Sequence, residues 1–180
     1  MVDGKGTGRF FLDTGANETT IPLSLAQQSG IDPDKGISIT TGGIGGSVDV
    51  PLIEIESLKV GEAEVRDLLV SIMDLSSGSD KIGLLGANFL LEFHVQINYS
   101  RNQVTLERKQ SPTDGHSLEW WEHRFRRYQE IKKQYEDGRS NAGSEKQRKW
   151  IDKQLRALEK KINDLETRAS RAGIPRRFRQ

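Results

Sequence analysis

The 180-residue sequence contains no cysteine, which excludes a disulfide framework, a thiol nucleophile and a cysteine-ligated zinc site. It has only three histidines, His94, His116 and His123, and none stands at a metal-ligand spacing; Glu119 and His123 share a helix face, which reads as a surface pair. No apolar run approaches the ~20 residues that a membrane helix needs, and Met1 opens no signal-peptide pattern. Gly-x-Ser-x-Gly does not occur, which argues against a serine hydrolase elbow. The glycines from Gly42 to Gly46 lack the Gly-Lys-Ser/Thr ending of a phosphate loop. Charge of one sign is also scarce, because Lys+Arg 27 against Asp+Glu 26 leaves a net charge of +1. Neither nucleic acid nor membrane contact is expected, and no metal or cofactor is implied. The chain reads as soluble, with no compartment named.

That near-neutral balance hides two unlike segments. Residues 1–110 carry a net charge of −6, and residues 111–180 carry +7. In the first segment, apolar residues come in short runs separated by glycine. Ile53-Glu54-Ile55-Glu56 and Leu68-Leu69-Val70-Ser71-Ile72 have the period of two expected of strands. Turn residues divide the runs, as in Asp32-Pro33-Asp34-Lys35-Gly36 and Ser100-Arg101-Asn102. Short helices are expected at residues 24–28 and around Asn88-Phe89-Leu90.

Residues 111–116 read as a polar linker, after which the period changes. Leu118, Trp121, Phe125, Tyr128, Ile131 and Tyr135 recur every three or four residues, the mark of an amphipathic helix. Asp137-Gly138 and Asn141-Ala142-Gly143 are expected to break it, and Ser144 with Gln147 reads as a capping box that opens a second helix. Ile151, Leu155, Leu158, Ile162, Leu165 and Ala169 form a heptad seam along that helix, which Gly173 and Pro175 end. The expected organisation is a β domain over 1–110, the linker, and a helical hairpin with a basic tail over 117–180. An intermolecular coiled coil is the alternative use of the seam. Arg176-Arg177-Phe178-Arg179 is either a solvated tail or a contact for an acidic partner.

Phe10-Phe11-Leu12-Asp13-Thr14-Gly15-Ala16 places a carboxylate at the end of an apolar strand, with a hydroxyl and a glycine directly behind it. A carboxylate near a core edge is costly unless it is hydrogen-bonded, and Thr14 with the backbone of Gly15 can supply a bonding turn. On the tripeptide alone, a simple hairpin turn remains open as the alternative. Two further segments bear on it. Gly42 to Gly46 lies between two strand-like runs and reads as the tip of a long hairpin. Ile82 to Leu90 reads as an apolar strand that turns at Gly86 into a short helix.

In this order and spacing, the three segments resemble the retropepsin family, the single-domain aspartic proteases of retroviruses and their bacterial relatives. Asp13-Thr14-Gly15-Ala16 matches the catalytic motif, and Gly42 to Gly46, with Ile44 at its centre, matches the glycine-rich flap. Leu84-Leu85-Gly86 with Asn88 matches the second, hydrophobic-hydrophobic-Gly motif. Val104-Thr105-Leu106 looks like the closing strand, and Val2-Asp3-Gly4 like the hairpin ahead of the active-site strand. The resemblance spans about residues 3–109.

It implies a closed β-barrel-like half that is inactive alone, because one chain supplies one Asp-Thr-Gly; a homodimer would bring two copies of Asp13 together. It also implies that Asp13, Thr14 and Gly15 carry catalysis, that an extended peptide is the substrate, and that Ala16, Asn17, Gly43, Ile44, Gly45, Ile82 and Leu84 contact it. Leu85, Gly86 and Asn88 would be structural neighbours of the site. Asn17 and Ala87 depart from the retroviral pattern, where Asp and Arg are usual, and almost no strand precedes Val2. The sequence therefore looks cut from a longer chain, and a periplasmic or membrane-anchored placement stays open. Two other readings remain: a latent dimerisation or peptide-binding module of the same fold, and a scaffold acting through its helices.

Overall fold

The computed structural model describes residues 1–43, 46–75, 82–111 and 114–179. The chain divides into two compact units, Met1–Lys109 and Gln110–Gln180.

The first unit is mainly β. Its strands are β1 (Arg9–Leu12), β2 (Thr19–Ile21), β3 (Ile37–Gly43), β4 (Gly46–Val60), β5 (Ala63–Ile72), β6 (Ile82–Leu85), β7 (Phe93–Asn98) and β8 (Gln103–Arg108), with helices α1 (Leu23–Gln28) and α2 (Ala87–Leu90). Six strands make one mixed sheet in the order β1-β6-β2-β5-β4-β3, while β7 and β8 pair separately. Among the described residues no ladder joins β1 to β3, so hydrogen bonding does not close the sheet into the expected barrel.

Burial sets the register. Alternation in β4 buries Val50 and Leu52, and further along Ile55, Leu58, Val65 and Leu68 are all buried with Ile21, Leu85 and Phe89. Ile55 pairs with Leu68 and Leu58 with Val65; each strand buries two residues three apart, so the alternation breaks between the two pairs, where Asp67 takes a positive φ of 49. β1 and β6 run parallel, with Phe11 opposite Leu84 and Leu12 opposite Leu85. The end of β8 is anchored by Arg108, whose guanidinium lies 3.3 Å from the buried carboxylate of Glu92.

The second unit is a pair of helices, α3 (Leu118–Ser140) and α4 (Glu145–Arg171). They pack antiparallel within the chain: Arg139 meets Asp152 at 2.6 Å, and Lys132 meets Glu159 at 3.9 Å. Trp121, Phe125, Tyr128 and Ile131 of α3 are buried, as are Ile151, Leu158 and Leu165 of α4. The expected break at Asp137-Gly138 does not occur, and α3 runs on to Ser140. One glycine within a helix costs about 1 kcal/mol relative to alanine, which packing along the rest of the helix outweighs. Ser144 caps α4 as expected by accepting from the Gln147 amide at 3.2 Å; the Gln147 side chain accepts from Gly143 rather than from Ser144 itself.

Gly173 ends α4 in the left-handed region at φ 68. There the Ile174 amide reaches the Ala169 carbonyl and the Gly173 amide reaches that of Ser170, the paired bonds of a Schellman stop. No described helix is long and apolar enough to cross a membrane.

Burial, followed by Arg126, Arg124 and Arg127, pushes His123 on α3 down to about 4. An unfolded imidazole titrates near 6.5, so between those values the unfolded chain binds more protons than the folded one. The contribution of His123 is complete above about pH 6.5 and is lost as pH falls towards 4, by on the order of 1–3 kcal/mol. Thermal melts followed by circular dichroism at pH 7.5 and 4.5 should show His123→Gln losing less helical stability in acid than wild type. Equal losses would contradict this.

Candidate active site

Asp13 stands one residue past the end of β1, where its amide donates to the Leu85 carbonyl at 3.1 Å and so continues the β1·β6 ladder. The chain then turns. The Gly15 amide donates to Asp13 Oδ1 at 2.9 Å, and the Ala16 amide reaches the Asp13 carbonyl at 3.4 Å. The carboxylate is half-buried, Thr14 and Gly15 are exposed, and Asp13 Oδ2 accepts no hydrogen bond among the described residues. One oxygen thus fixes the side chain and the other is unengaged.

The loop is held from the far side by α2. A helix begins with amides that have no partner inside it. Here Ala87 donates to the Ala16 carbonyl at 2.8 Å, and Asn88 donates to the Asn17 carbonyl at 3.2 Å. Gly86 precedes these two residues, and a Cβ there would lie 2.5 Å from the Glu18 carbonyl oxygen and 2.7 Å from the Thr19 amide. Only glycine lets β6 turn into α2 this close to the loop.

Asn88 and Thr19 form the buried link beneath. Asn88 Oδ1 accepts from both the amide and the hydroxyl of Thr19, each at 2.9 Å, and Asn88 Nδ2 donates to the Leu69 carbonyl at 2.6 Å. The same Thr19 hydroxyl accepts from the Gly86 amide at 3.2 Å. Thr20 and Ser71 add a buried hydroxyl pair at 2.8 Å. Buried polar groups are costly unless partnered, and this set is partnered in a chain that joins β2, β5, β6 and α2.

The structure therefore gathers Asp13, Thr14, Gly15, Ala16 and Asn17 on one loop, with Leu85, Gly86 and Asn88 beside it. Ile82 and Leu84 are half-buried on β6, and their register partners Arg9 and Phe11 alternate with Phe10 and Leu12 along β1. Phe11, 61% exposed, shares a face of β1 with Asp13 and pairs with Leu84. Gly43 ends β3 opposite Gly46 of β4, so a long hairpin forms where the flap is expected. Ile44 and Gly45 lie outside the described residues, and β3 occupies the sheet edge opposite β1. A cavity of about 670 Å³ runs along β1 on the Phe10 and Leu12 side, bounded by Val60, Ala63, Val104 and Leu106; Asp13 does not line it.

Sequence reasoning missed Thr19 and Phe11. Thr19 reads as an ordinary β-branched strand residue, and its partner is 69 positions away. Phe11 reads as core, whereas strand alternation from the buried side at Leu12 would have turned it outward.

With this geometry in view, residues 1–89 match the family described as aspartyl protease. The match covers most of the first unit and just under half of the chain, and makes that region similar to the aspartyl proteases. Among solved structures, a retropepsin-like aspartic protease from Rickettsia conorii is similar at 25% identity and a TM-score of 0.43, over 54% of this chain and 70% of that one. No curated protein matches the sequence.

Replacing Asn88 by Leu would strand the Thr19 amide, the Thr19 hydroxyl and the Leu69 carbonyl. The expected cost is about 2–4 kcal/mol, with about 1–2 kcal/mol for Thr19→Val. Urea unfolding of both single variants and the double should show non-additive losses, since the two side chains share one network. Additive losses would show that the network does not act as a unit.

Proposed function

We propose that the first unit is an aspartic endopeptidase whose site is completed by Asp13 of a second copy. The observation that carries this reading is the state of Asp13: it lies on a rigidly tied loop, with one carboxylate oxygen engaged by Gly15 and the other open. The similarity of residues 1–89 to the aspartyl protease family supports it. A single chain holds one Asp-Thr-Gly, and water activation between two carboxyls needs two, so the partner's copy is required.

In the mechanism that follows, two Asp13 carboxyls about 3 Å apart share one proton, because both cannot ionise easily at that separation. The ionised member takes a proton from a water held between them, and that water attacks the scissile carbonyl carbon. The protonated member delivers its proton to the carbonyl oxygen, giving a tetrahedral diol. Collapse of the diol breaks the C–N bond as the amine leaves protonated, and no acyl-enzyme forms.

Exposed Thr14 would bond across the twofold axis of such a dimer, and the backbone at Gly15 would bond the substrate. The β3–β4 hairpin would close over an extended peptide and add main-chain bonds as a neighbouring strand would. Ala16, Ile82, Leu84 and Phe11 offer mainly apolar walls beside Asn17, which favours cleavage between apolar residues.

Three outcomes are expected. Asp13→Asn should abolish cleavage of a peptide library while leaving molar mass and melting temperature unchanged; unfolding of that variant would assign Asp13 a structural role instead. Because the pair works with one proton, wild-type cleavage should be greatest at roughly pH 4 to 6 and fall towards neutrality. A flat profile through pH 8 would count against the shared proton. Phe11→Ala should raise KM for apolar peptides several-fold with little change in kcat, as expected for a wall that binds ground and transition state alike.

A further inference from the structure

The helical unit presents a surface that chemistry at Asp13 leaves unused. α4 sorts its side chains by charge around its circumference. Ile151, Leu158 and Leu165 are buried along one side. On a flank beside them, Asp152 and Glu159 pair with Arg139 and Lys132 of α3, and Glu166 pairs with Arg179 at 2.6 Å.

Opposite the apolar side, Lys146, Lys149, Lys153, Arg156 and Lys160 succeed one another at alternating steps of three and four, which puts them in one file along the helix. All five are exposed, and among the described residues only Lys149 has an ion pair, with Glu145 at 2.7 Å. At 1.5 Å per residue, the file is about 21 Å long. Neighbouring like charges at these spacings repel. Glu145 relieves Lys149 at one end and Asp164 follows Lys160 by one turn at the other, whereas Asp152, Glu159 and Glu166 sit on the flank where they bind α3 and the C-terminal turn.

We propose that this file docks acidic polypeptide segments and, resting on the reading of the first unit as a peptidase, that it gathers acidic substrates for cleavage. The walls assigned to the cleavage site, Phe11, Ala16, Ile82 and Leu84, carry no charge, so a preference for acidic substrates would come from outside that site. Lysine and arginine attract carboxylate and phosphate alike, so the choice of an acidic polypeptide over nucleic acid rests on the peptidase reading of the first unit, whose substrate is a polypeptide. The apolar side of α4 is consumed by α3; Trp150, 45% exposed, rests edge-on against Tyr135 with ring centroids 6.0 Å apart. One partly covered ring beside the file is less than the continuous apolar face of a membrane-surface helix.

The test uses the full chain carrying Asp13→Asn, so that binding is read without turnover. Labelled polyglutamate should bind at low salt, weaken in about 0.3 M salt, and lose roughly ten-fold or more in affinity when Lys146, Lys153, Arg156 and Lys160 are all changed to Gln. A glycine-serine peptide of equal length should not bind. Absence of polyglutamate binding, equal binding to both proteins, or tighter binding to duplex DNA or phosphatidylserine vesicles would overturn the proposal.

With Asp13 intact, the four-fold variant should raise KM several-fold for an apolar peptide bearing a glutamate tail and leave the untailed peptide unchanged. An unchanged KM for the tailed peptide would overturn the substrate-gathering role. If neither peptide is cut while polyglutamate still binds, the docking surface stands and the peptidase reading fails.

Discussion

The buried carboxamide of Asn88 is the contact on which the rest of the candidate site depends. It takes two hydrogen bonds from Thr19 and gives one to Leu69, which locks α2 against two strands of the sheet. Because α2 is fixed, its first amides can hold the carbonyls of Ala16 and Asn17, and the loop that bears Asp13 is then anchored at both ends. A loop held only by its own turn would let the carboxylate wander by more than catalytic geometry tolerates. The protein spends buried polar groups on this rigidity, and they are stabilising only while every member of the set is satisfied.

How much of this could be read from the sequence follows the range of each interaction. Asp13-Thr14-Gly15 was legible because the turn is local, three adjacent residues with one hydrogen bond between them. The stop at Gly173 and the Ser144 cap were legible for the same reason. The Thr19–Asn88 link was not, since nothing in a short run of β-branched residues says that one hydroxyl will meet a carboxamide 69 residues on. The parallel pairing of β1 with β6 was equally hidden, because it depends on which apolar strands share the core. In the helical unit, the seam of α4 declared itself through its spacing. The burial of Arg124 and Arg127 did not, since arginine on a helix normally reads as solvent-facing; Arg124 lies 4.6 Å above the Trp120 ring, a contact that pattern alone does not show.

The two units differ in how they respond to acid. The proposed dyad needs a proton to work, whereas His123 in the helical unit is held neutral by burial and by three arginines. The conditions that favour hydrolysis therefore weaken the helices. If substrates are gathered by the lysine file of α4, productive turnover reflects both effects: carboxylates on the partner lose charge in the same acid that protonates the dyad. The working pH is then a compromise between docking and chemistry.

The most direct measurement of the central claim is a subunit-mixing experiment, in which wild-type and Asp13→Asn chains are co-refolded at varied ratios and assayed for cleavage. If two copies of Asp13 share each site, activity follows the square of the wild-type fraction, so an equal mixture retains about one quarter of the full rate. Activity proportional to the wild-type fraction, about one half in that mixture, would show that a single Asp13 suffices and would contradict the account.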